Sequence, residues 1–383
     1  YNCNRYRSIS IPIIFKFRVI RGFKMHIRKI ELTNFRNYDK FKIDNLEDIN
    51  VIIGANGIGK TSIIESIYVA STARSFKNND ENVMIKSNSD YFKIKVMIDD
   101  EIRTKQLEYL LTNNGKKTKI NSRLKKKISD YIFQYKVVLF SPDELKIIKE
   151  SPTVRRNYLN VNLSQINKTY IKLLNTYNVL IKNKNEYLKK LYINGNLDER
   201  YLDILDLKIA EIGSQICLIR KEYIDKINKR IKKIFKKFKK NDEVYVDYQS
   251  QFLNKSNDEI LLHLKKNRIY EETIGFTKTG VHRDDFVFLH NGKNAKEYSS
   301  QGLQKLILLS FKMAELEVLI DDYYEEPILL LDDLFSELDI INQNSIINNL
   351  NTKIQVFVTT TDINNVTINI KNILFFTFKS RLL

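Results

Sequence analysis

Residues 25–46, MHIRKIELTNFRNYDKFKIDNL, alternate apolar and polar side chains with a period of two, which predicts strands joined by a turn. INVIIGANGIGKTSIIESIYVAS, residues 49–71, reads as a short apolar strand, a glycine-rich turn and then a helix. Between residues 90 and 140, YFKIKVMID, QLEYLLT and YKVVLF are strand-like, with TNNGKK a turn between the last two. SPDELKIIKE and SPTVRRNYLN predict helices that open at Ser141 and Ser151.

The period then changes. Leu159, Leu163, Ile166, Tyr170, Leu173, Tyr177 and Leu180 alternate spacings of four and three, a heptad seam that Lys184 interrupts and Tyr187 and Leu191 resume. A second seam runs from Leu202 through Ile209, Ile216, Tyr223 and Ile231 to Phe238. Two long helices with a short connection predict an antiparallel hairpin, either an ordinary helical subdomain or an arm about 50 Å long. Residues 243–275 read as a strand and a helix. DFVFLH, the turn NGKN, the helix SQGLQKLILLSFKMAELEVLI, the strand ILLLDD, a helix near INQNSIINNL and the strand QVFVTT complete an alternating end. Alternation of this kind predicts an α/β sheet. The expected division is a sheet domain in two parts, residues 25–150 and 271–383, around an inserted antiparallel helical, coiled-coil-like domain, residues 151–270.

With 383 residues and 43% hydrophobic residues, the chain is globular and large enough for a sizeable core. Its two cysteines, Cys3 and Cys217, lie far apart and its histidines number four, so neither a disulfide framework nor a zinc site is expected. The absence of a long uncharged apolar run argues against a membrane span and points to a cytoplasmic protein. The formal net charge is +18, which suits a polyanionic partner or a lysine-rich solvated surface. Much of it falls in residues 151–240, with 21 Lys or Arg against 8 Asp or Glu, and is densest in KRIKKIFKKFKK, residues 229–240, whose apolar positions keep helical spacing. Residues 1–24 hold six basic and no acidic residues and begin at Tyr1 rather than Met. They lack the amphipathic pattern of a transit peptide and are expected to be a non-native or disordered extension before a start at Met25.

Candidate chemistry is concentrated in three places. Gly54, Ala55, Asn56, Gly57, Ile58, Gly59, Lys60 and Thr61 fit the phosphate-loop pattern G-x-x-x-x-G-K-[ST] between a strand and a helix. Glycines let main-chain N–H groups turn inward around an oligophosphate, Lys60 reaches its terminal oxygens, and the Thr61 hydroxyl suits Mg2+. ILLLDD supplies the carboxylates such a site requires: Asp332 as a metal ligand and Asp333, one residue beyond, to orient a water or accept its proton. SSQGLQK, residues 299–305, puts Ser300 and Gly302 at a helix N-terminus, which by itself a helix cap would explain. Just upstream of an Asp-Asp strand it resembles the signature motif of ABC-type ATPases, whose signature closes over ATP held by a second subunit. SELD, residues 336–339, then resembles their dimer-seam loop, and Thr359 to Thr361 occupy their switch position.

Taken together these blocks resemble the RecF family, of the ABC/SMC-like ATPase class, over nearly the whole chain from Met25. MHIRKIELTNFRNY, GANGIGKTSIIESIY, ARSFKN (residues 73–78), LFSPDEL (139–145), SPTVRRNYLN, TKTGVHRDDF, SSQGLQKLILLSFKMAE and ILLLDDLFSELD carry the resemblance in order. Val281 stands where the family has proline, Leu303 and Lys305 where its signature has Gln and Arg, and Asn160 where Asp is typical.

The resemblance implies an ABC-type ATPase domain that binds ATP and Mg2+ and dimerises with a second copy on ATP. It also implies binding to DNA, single-stranded and gapped double-stranded, with RecR- and RecO-like partners, to help load the RecA recombinase in repair, replication and the SOS response. Catalysis would be a slow, DNA-stimulated hydrolysis that works as a switch, with Lys60 and Asp333 in the catalytic role. The alternatives are another ABC/SMC-type ATPase, a DNA-end or chromosome organiser or a transporter motor. Arg74, Arg155 and Arg156 are candidate phosphate contacts, the segment His282–Asp285 is an active-site or structural corner, and Gln134 is the candidate γ-phosphate-sensing glutamine.

Overall fold

The computed structural model describes residues 25–78, 80–100, 103–194, 199–333, 354–361 and 373–377. The expected extension at residues 1–24, the SELD loop and the helix near INQNSIINNL lie outside them. The chain divides into two compact units, one of residues 1–144 with 315–383, the other of residues 145–314.

The first unit holds two sheets. In the antiparallel one, β1 (Met25–Phe35), β2 (Tyr38–Ile43), β4 (Tyr91–Asp100), β5 (Arg103–Thr112), β6 (Gly115–Ile120) and β7 (Arg123–Lys125) pair in the order β2-β1-β4-β5-β6-β7. The second contains β3 (Ile49–Ile53), β8 (Val137–Phe140), β12 (Ile328–Leu331), β13 (Val356–Thr360) and β14 (Ile373–Thr377). Its order is β14-β3-β13-β12-β8 and every pair is parallel. Strands β3, β8, β12 and β13 are buried at every position, as a doubly covered parallel sheet requires.

Helix α1 (Lys60–Thr72) touches strands of both sheets and buries ten of its 13 residues, among them the polar Lys60, Glu65, Ser66, Ser71 and Thr72. Tyr135 fastens it, donating its hydroxyl to the Ile67 carbonyl at 2.7 Å and accepting from Ser71 Oγ at its own carbonyl at 2.9 Å. The buried Gln355 amide, just before β13, joins the sheets: it bonds to both main-chain groups of Ile27, at 2.7 and 2.9 Å, and to the Glu47 carbonyl at 3.0 Å.

The second unit contains α2 (Lys146–Lys149), α3 (Pro152–Ile166), α4 (Lys168–Asn194), α5 (Glu199–Phe238), α6 (Asn257–Ile274) and α7 (Ala295–Tyr298). A small antiparallel sheet is formed by β9 (Val244–Gln249), β10 (Asp285–His290) and β11 (Lys293–Asn294). Helix α8 (Gln301–Asp321) starts in this unit. Ser151 precedes α3 with Pro152 in its first turn, where a missing N–H costs nothing. The helix expected from Ser141 is instead a 3-10 turn, Pro142–Leu145, followed by the single turn of α2. The first heptad seam is not one helix either. Asn167 is extended, and its side chain accepts from the Tyr170 N–H at 2.9 Å, capping a new helix.

Helices α4 and α5 run antiparallel, since Tyr170 meets Arg220 and Lys184 meets Asp206. Lys184, the break in the seam, is fully buried between Asp206 at 2.7 Å and Glu271 of α6 at 2.8 Å. Arg268 closes the network on Asp206 and Asp203, at 2.7 and 2.8 Å. A buried charge survives only when paired, so these ions set the register of three helices. At the end of α5, Ile231, Ile234 and Phe235 are buried while Lys232, Lys233, Lys236 and Lys237 face solvent.

Candidate functional site

The phosphate-loop residues leave the C-terminal end of β3. Gly54 is buried, and its N–H donates to the Thr360 carbonyl of β13 at 3.3 Å. Ala55, Asn56 and Gly57 face solvent. Two left-handed residues shape the turn, Gly57 at φ 81° and Gly59 at φ 108°. The backbone angle at Gly59 requires glycine, and a Cβ there would also lie 2.7 Å from the Tyr38 hydroxyl and displace that ring.

Lys60 opens α1. Its buried Nζ donates to the Gly54 carbonyl at 2.6 Å and to the Ala55 carbonyl at 3.0 Å, across the loop it belongs to. Burial lowers its pKa, opposed by the carboxylates of Asp333 and Asp332.

Asp332 follows the last residue of β12 and is 4% exposed. The Thr359 hydroxyl, from β13, donates to Asp332 Oδ1 at 2.8 Å and accepts from the Asp333 N–H at 2.9 Å. Burial raises the Asp332 pKa, opposed by hydrogen bonds from Thr359 and Thr61. Asp333 sits in the left-handed region at φ 49°, which turns the chain sharply after the strand.

The structure therefore brings Gly54–Thr61, Asp332 and Asp333 to the carboxyl ends of parallel strands in one sheet, the usual place for a ligand in such sheets. A main-chain cradle at a helix N-terminus with a lysine suits an oligophosphate, and the Thr61 hydroxyl with the Asp332 carboxylate suits a hard divalent cation. Thr359 is a member that motif reading assigns only to a switch position; here it bridges both carboxylate residues.

Ser300 and Gly302 lie in the second unit, at the start of α8. Ser300, Gln301 and Gly302 are exposed, and Ser300 Oγ accepts from the Leu303 N–H at 3.4 Å. Buried Gln304 supports this helix start from beneath, donating to the carbonyls of Ala295, Lys296 and Ser299 at 3.1, 3.2 and 3.1 Å.

The remaining candidates separate clearly. Arg155 pairs with Asp285 through two bonds of 2.6 and 2.8 Å and also holds the Glu150 carbonyl at 2.7 Å. Arg156 donates to the Asp284 carbonyl at 2.9 Å. Arg220, 2% exposed, gathers Asp284 at 2.6 Å, the Val281 carbonyl at 2.7 Å, Asn160 at 2.9 Å and the Tyr170 hydroxyl at 3.0 Å. The segment His282–Asp285 is thus a hydrogen-bonded corner on which α3, α4 and α5 close. Arg74 is exposed after α1. Glu65 of α1, fully buried, receives Arg36 at 2.6 and 2.8 Å, a pairing that no sequence motif signals. Gln134 lines a groove beside β5 and β7 with Arg103 and Arg123.

Comparison with known proteins agrees with this architecture. The RecF/RecN/SMC N terminal domain family matches residues 26–380. The DNA replication and repair protein RecF of Acholeplasma laidlawii is 40% identical over 335 residues, 87% of this chain and 93% of that protein. The protein of the same name from Oceanobacillus iheyensis is 38% identical over 347 residues, 88% of this chain and 94% of that one. Among solved structures, the recombination mediator protein RecF with ATP, of the RecFOR pathway, superposes with a TM-score of 0.85 at 30% identity, over 94% of this chain and 98% of that chain. An Smc head domain from Pyrococcus furiosus, at 17% identity and a TM-score of 0.50, shares the fold alone, over 89% of this chain and 92% of that one. The fold is that of an ABC-type ATPase with long inserted helices, and the chain belongs to the RecF family.

Proposed function

We propose that this chain is an ATP-switched, DNA-binding protein of recombinational repair and replication. It would act at single-strand gaps and junctions with RecR- and RecO-like partners to help load the RecA recombinase. The observation that carries this reading is the convergence of Lys60, Asp332 and Asp333 on the carboxyl ends of β3 and β12, with Thr359 between them. That a similar RecF is solved with ATP supports the same ligand here.

Bound Mg2+ would supply charge neutralisation at the terminal phosphates. The residues of the chain do the rest. Lys60 exchanges two main-chain carbonyls for phosphate oxygens. Thr61 and Asp332 would hold the cation, and Thr359 fixes the orientation of the Asp332 carboxylate. Asp333 orients the attacking water and accepts its proton. Ser300 and the Gly302 N–H, exposed at the start of α8, receive the terminal phosphate bound to a second copy, so that ATP favours a homodimer and slow, DNA-stimulated hydrolysis releases it. The solvent-facing lysines at the end of α5 supply sequence-independent attraction to DNA.

Sedimentation of the full chain with and without ATP and gapped DNA tests this reading. A dimer that forms only with ATP and persists on gapped DNA is expected. A chain that stays monomeric with saturating ATP would rule out the shared-nucleotide dimer.

A further inference from the structure

The lysine face at the end of α5 and the exposed Ser300 at the start of α8 are joined by a chain of contacts within the second unit. On the lysine side, Lys232 pairs with Glu243 at 2.7 Å, and Lys236 lies 3.9 Å from the same carboxylate. Glu243 ends the loop that leads from α5 into β9. Asn291 clamps its main chain, accepting the Glu243 N–H on Oδ1 at 2.8 Å and donating its own N–H to the Glu243 carbonyl at 2.9 Å. Asn291 Nδ2 also donates to Asp242 Oδ1 at 3.1 Å.

Asn291 and Gly292 form the two-residue turn between β10 and β11, left-handed at φ 48° and 77°. His290, the residue before, carries the contact onward. Its Nε2 stands 3.4 Å from Asp242 Oδ2 and its Nδ1 3.5 Å from Ser299 Oγ. One tautomer serves both ends, giving its Nε2 proton to the carboxylate and taking the serine proton at Nδ1. Hydrogen bonds from Asn291 and from His290 hold the Asp242 carboxyl below its usual pKa. Phe235, buried in α5 one residue before Lys236, packs edge-to-face on the imidazole with ring centres 6.0 Å apart. Ser299 adjoins Ser300 in the chain, and Gln304 holds its carbonyl from beneath.

We infer that the β10–β11 turn couples DNA contact at the end of α5 to the seating of Ser300, with Asn291 and His290 as positioning residues. The inference rests on the DNA-binding function proposed above and deepens it by naming how the signature serine is regulated. A phosphodiester competes with Glu243 for Lys232 and Lys236, and an exposed pair of this kind is weak enough to yield. The loop after α5 then loses that tie to the helix, and the turn that Asn291 clamps to it moves too. The Asn291 bonds are short and travel as a unit. The two His290 contacts sit at the long limit of hydrogen bonding, so a shift of a few tenths of an ångström makes or breaks them. Displacement of a surface lysine is thereby read at Ser299, next to the residue proposed to meet the second copy's nucleotide.

Turnover of saturating ATP by the full chain, measured with and without gapped duplex DNA where sedimentation shows a complete dimer in both, tests the coupling. Coupled sites typically change one another about 5- to 150-fold. His290→Phe keeps a ring on Phe235 and removes both nitrogens. Asn291→Gly keeps the left-handed turn and removes its side-chain bonds. Each should bring the ratio of DNA-bound to DNA-free turnover toward one, with DNA affinity and nucleotide binding at the wild-type level. Glu243→Gln leaves the lysines in place, so it should bind DNA at least as tightly and be stimulated less. Wild-type stimulation in all three variants sinks the coupling and leaves the DNA-binding reading standing. A wild-type chain that binds no gapped DNA sinks that reading itself. Stimulation lost only together with DNA affinity or nucleotide binding would mark the turn as a structural support and overturn the inference.

Discussion

Thr359 donates its hydroxyl to the Asp332 carboxylate at 2.8 Å and, through the same oxygen, takes the Asp333 N–H at 2.9 Å. One side chain on β13 therefore fixes the orientation of a carboxylate on β12 and the turn that follows it. Thr359→Val keeps the branched shape that the buried strand accommodates and removes both bonds. Groups that orient a metal ligand are worth about 10- to 100-fold in metal affinity or activity. A loss of that size in magnesium-dependent ATP turnover is expected, with Thr359→Ser close to wild type. Turnover unaffected by the valine would show that the Asp332 rotamer is held by something else.

Asp332 carries a charge that its surroundings disfavour. Its folded-state pKa is raised by burial, above the value in the unfolded chain. The folded form therefore binds its proton more tightly, and the charge costs stability in full above the folded pKa. Below the unfolded value both states are protonated and the cost is gone. Asp332→Asn should melt at a higher temperature than wild type at pH 7–8, with the difference vanishing toward pH 3. The same variant should lose magnesium-dependent nucleotide binding. A lower melting temperature at neutral pH would contradict the placement of this charge.

At Asp333 the backbone rather than the charge limits substitution. Asn tolerates the left-handed region, so Asp333→Asn should fold normally, turn over ATP far more slowly and persist as an ATP-bound dimer on DNA. Asp333→Val, forced to the same angle, should cost about 1–3 kcal/mol of stability. ATPase assays and dimer lifetimes check the first, denaturant titration the second. Wild-type turnover in the asparagine variant would remove the water-positioning role.

His282 makes the second unit acid-sensitive. Burial, helped by the cations of Arg283, Arg156 and Lys184, lowers its pKa to about 4, against the opposing bond to the Thr277 carbonyl. In the unfolded chain the imidazole takes its proton near pH 6.5. Between those values the unfolded state binds more protons, so stability falls as pH drops from 6.5 to 4, by up to about 1.4 kcal/mol per pH unit for this one group. NMR of the ring should show a neutral imidazole down to about pH 4.5, and a ring charged at pH 6 would contradict it.

Lys184 should be the costliest lysine to replace. Lys184→Met leaves Asp206 and Glu271 without their buried partner, a change that typically destabilises by about 3–5 kcal/mol. Exposed Lys233 replaced by Met should change stability by less than about 0.5 kcal/mol. Equal denaturation midpoints for the two variants would refute the contrast.

These cases show which parts of the molecule a linear reading reaches. Strands and turns of β1, β2, β9 and β10 are local patterns and are legible as such. So is the phosphate loop, because its glycines, Lys60 and Thr61 are consecutive. What escapes is pairing over long separations. Lys184 reads as a flaw in a heptad seam until Asp206 and Glu271 close on it. Arg155 reads as a phosphate ligand until Asp285 claims it, and Thr359 gains a role only when β13 is set beside β12. The break at Asn167 escapes for another reason: the apolar spacing carries on through it, and only the capping geometry marks two helices.

The order of strands in the parallel sheet also governs how the chain is made. β3, which launches the phosphate loop, has β13 and β14 as its neighbours, and both arrive about three hundred residues later in synthesis. A nascent chain on the ribosome thus completes residues 145–314 while the nucleotide strand still lacks both of its flanks. Nucleotide capture has to wait for the far end of the polypeptide, so a prematurely terminated product would carry the whole phosphate loop and have no site to put it in.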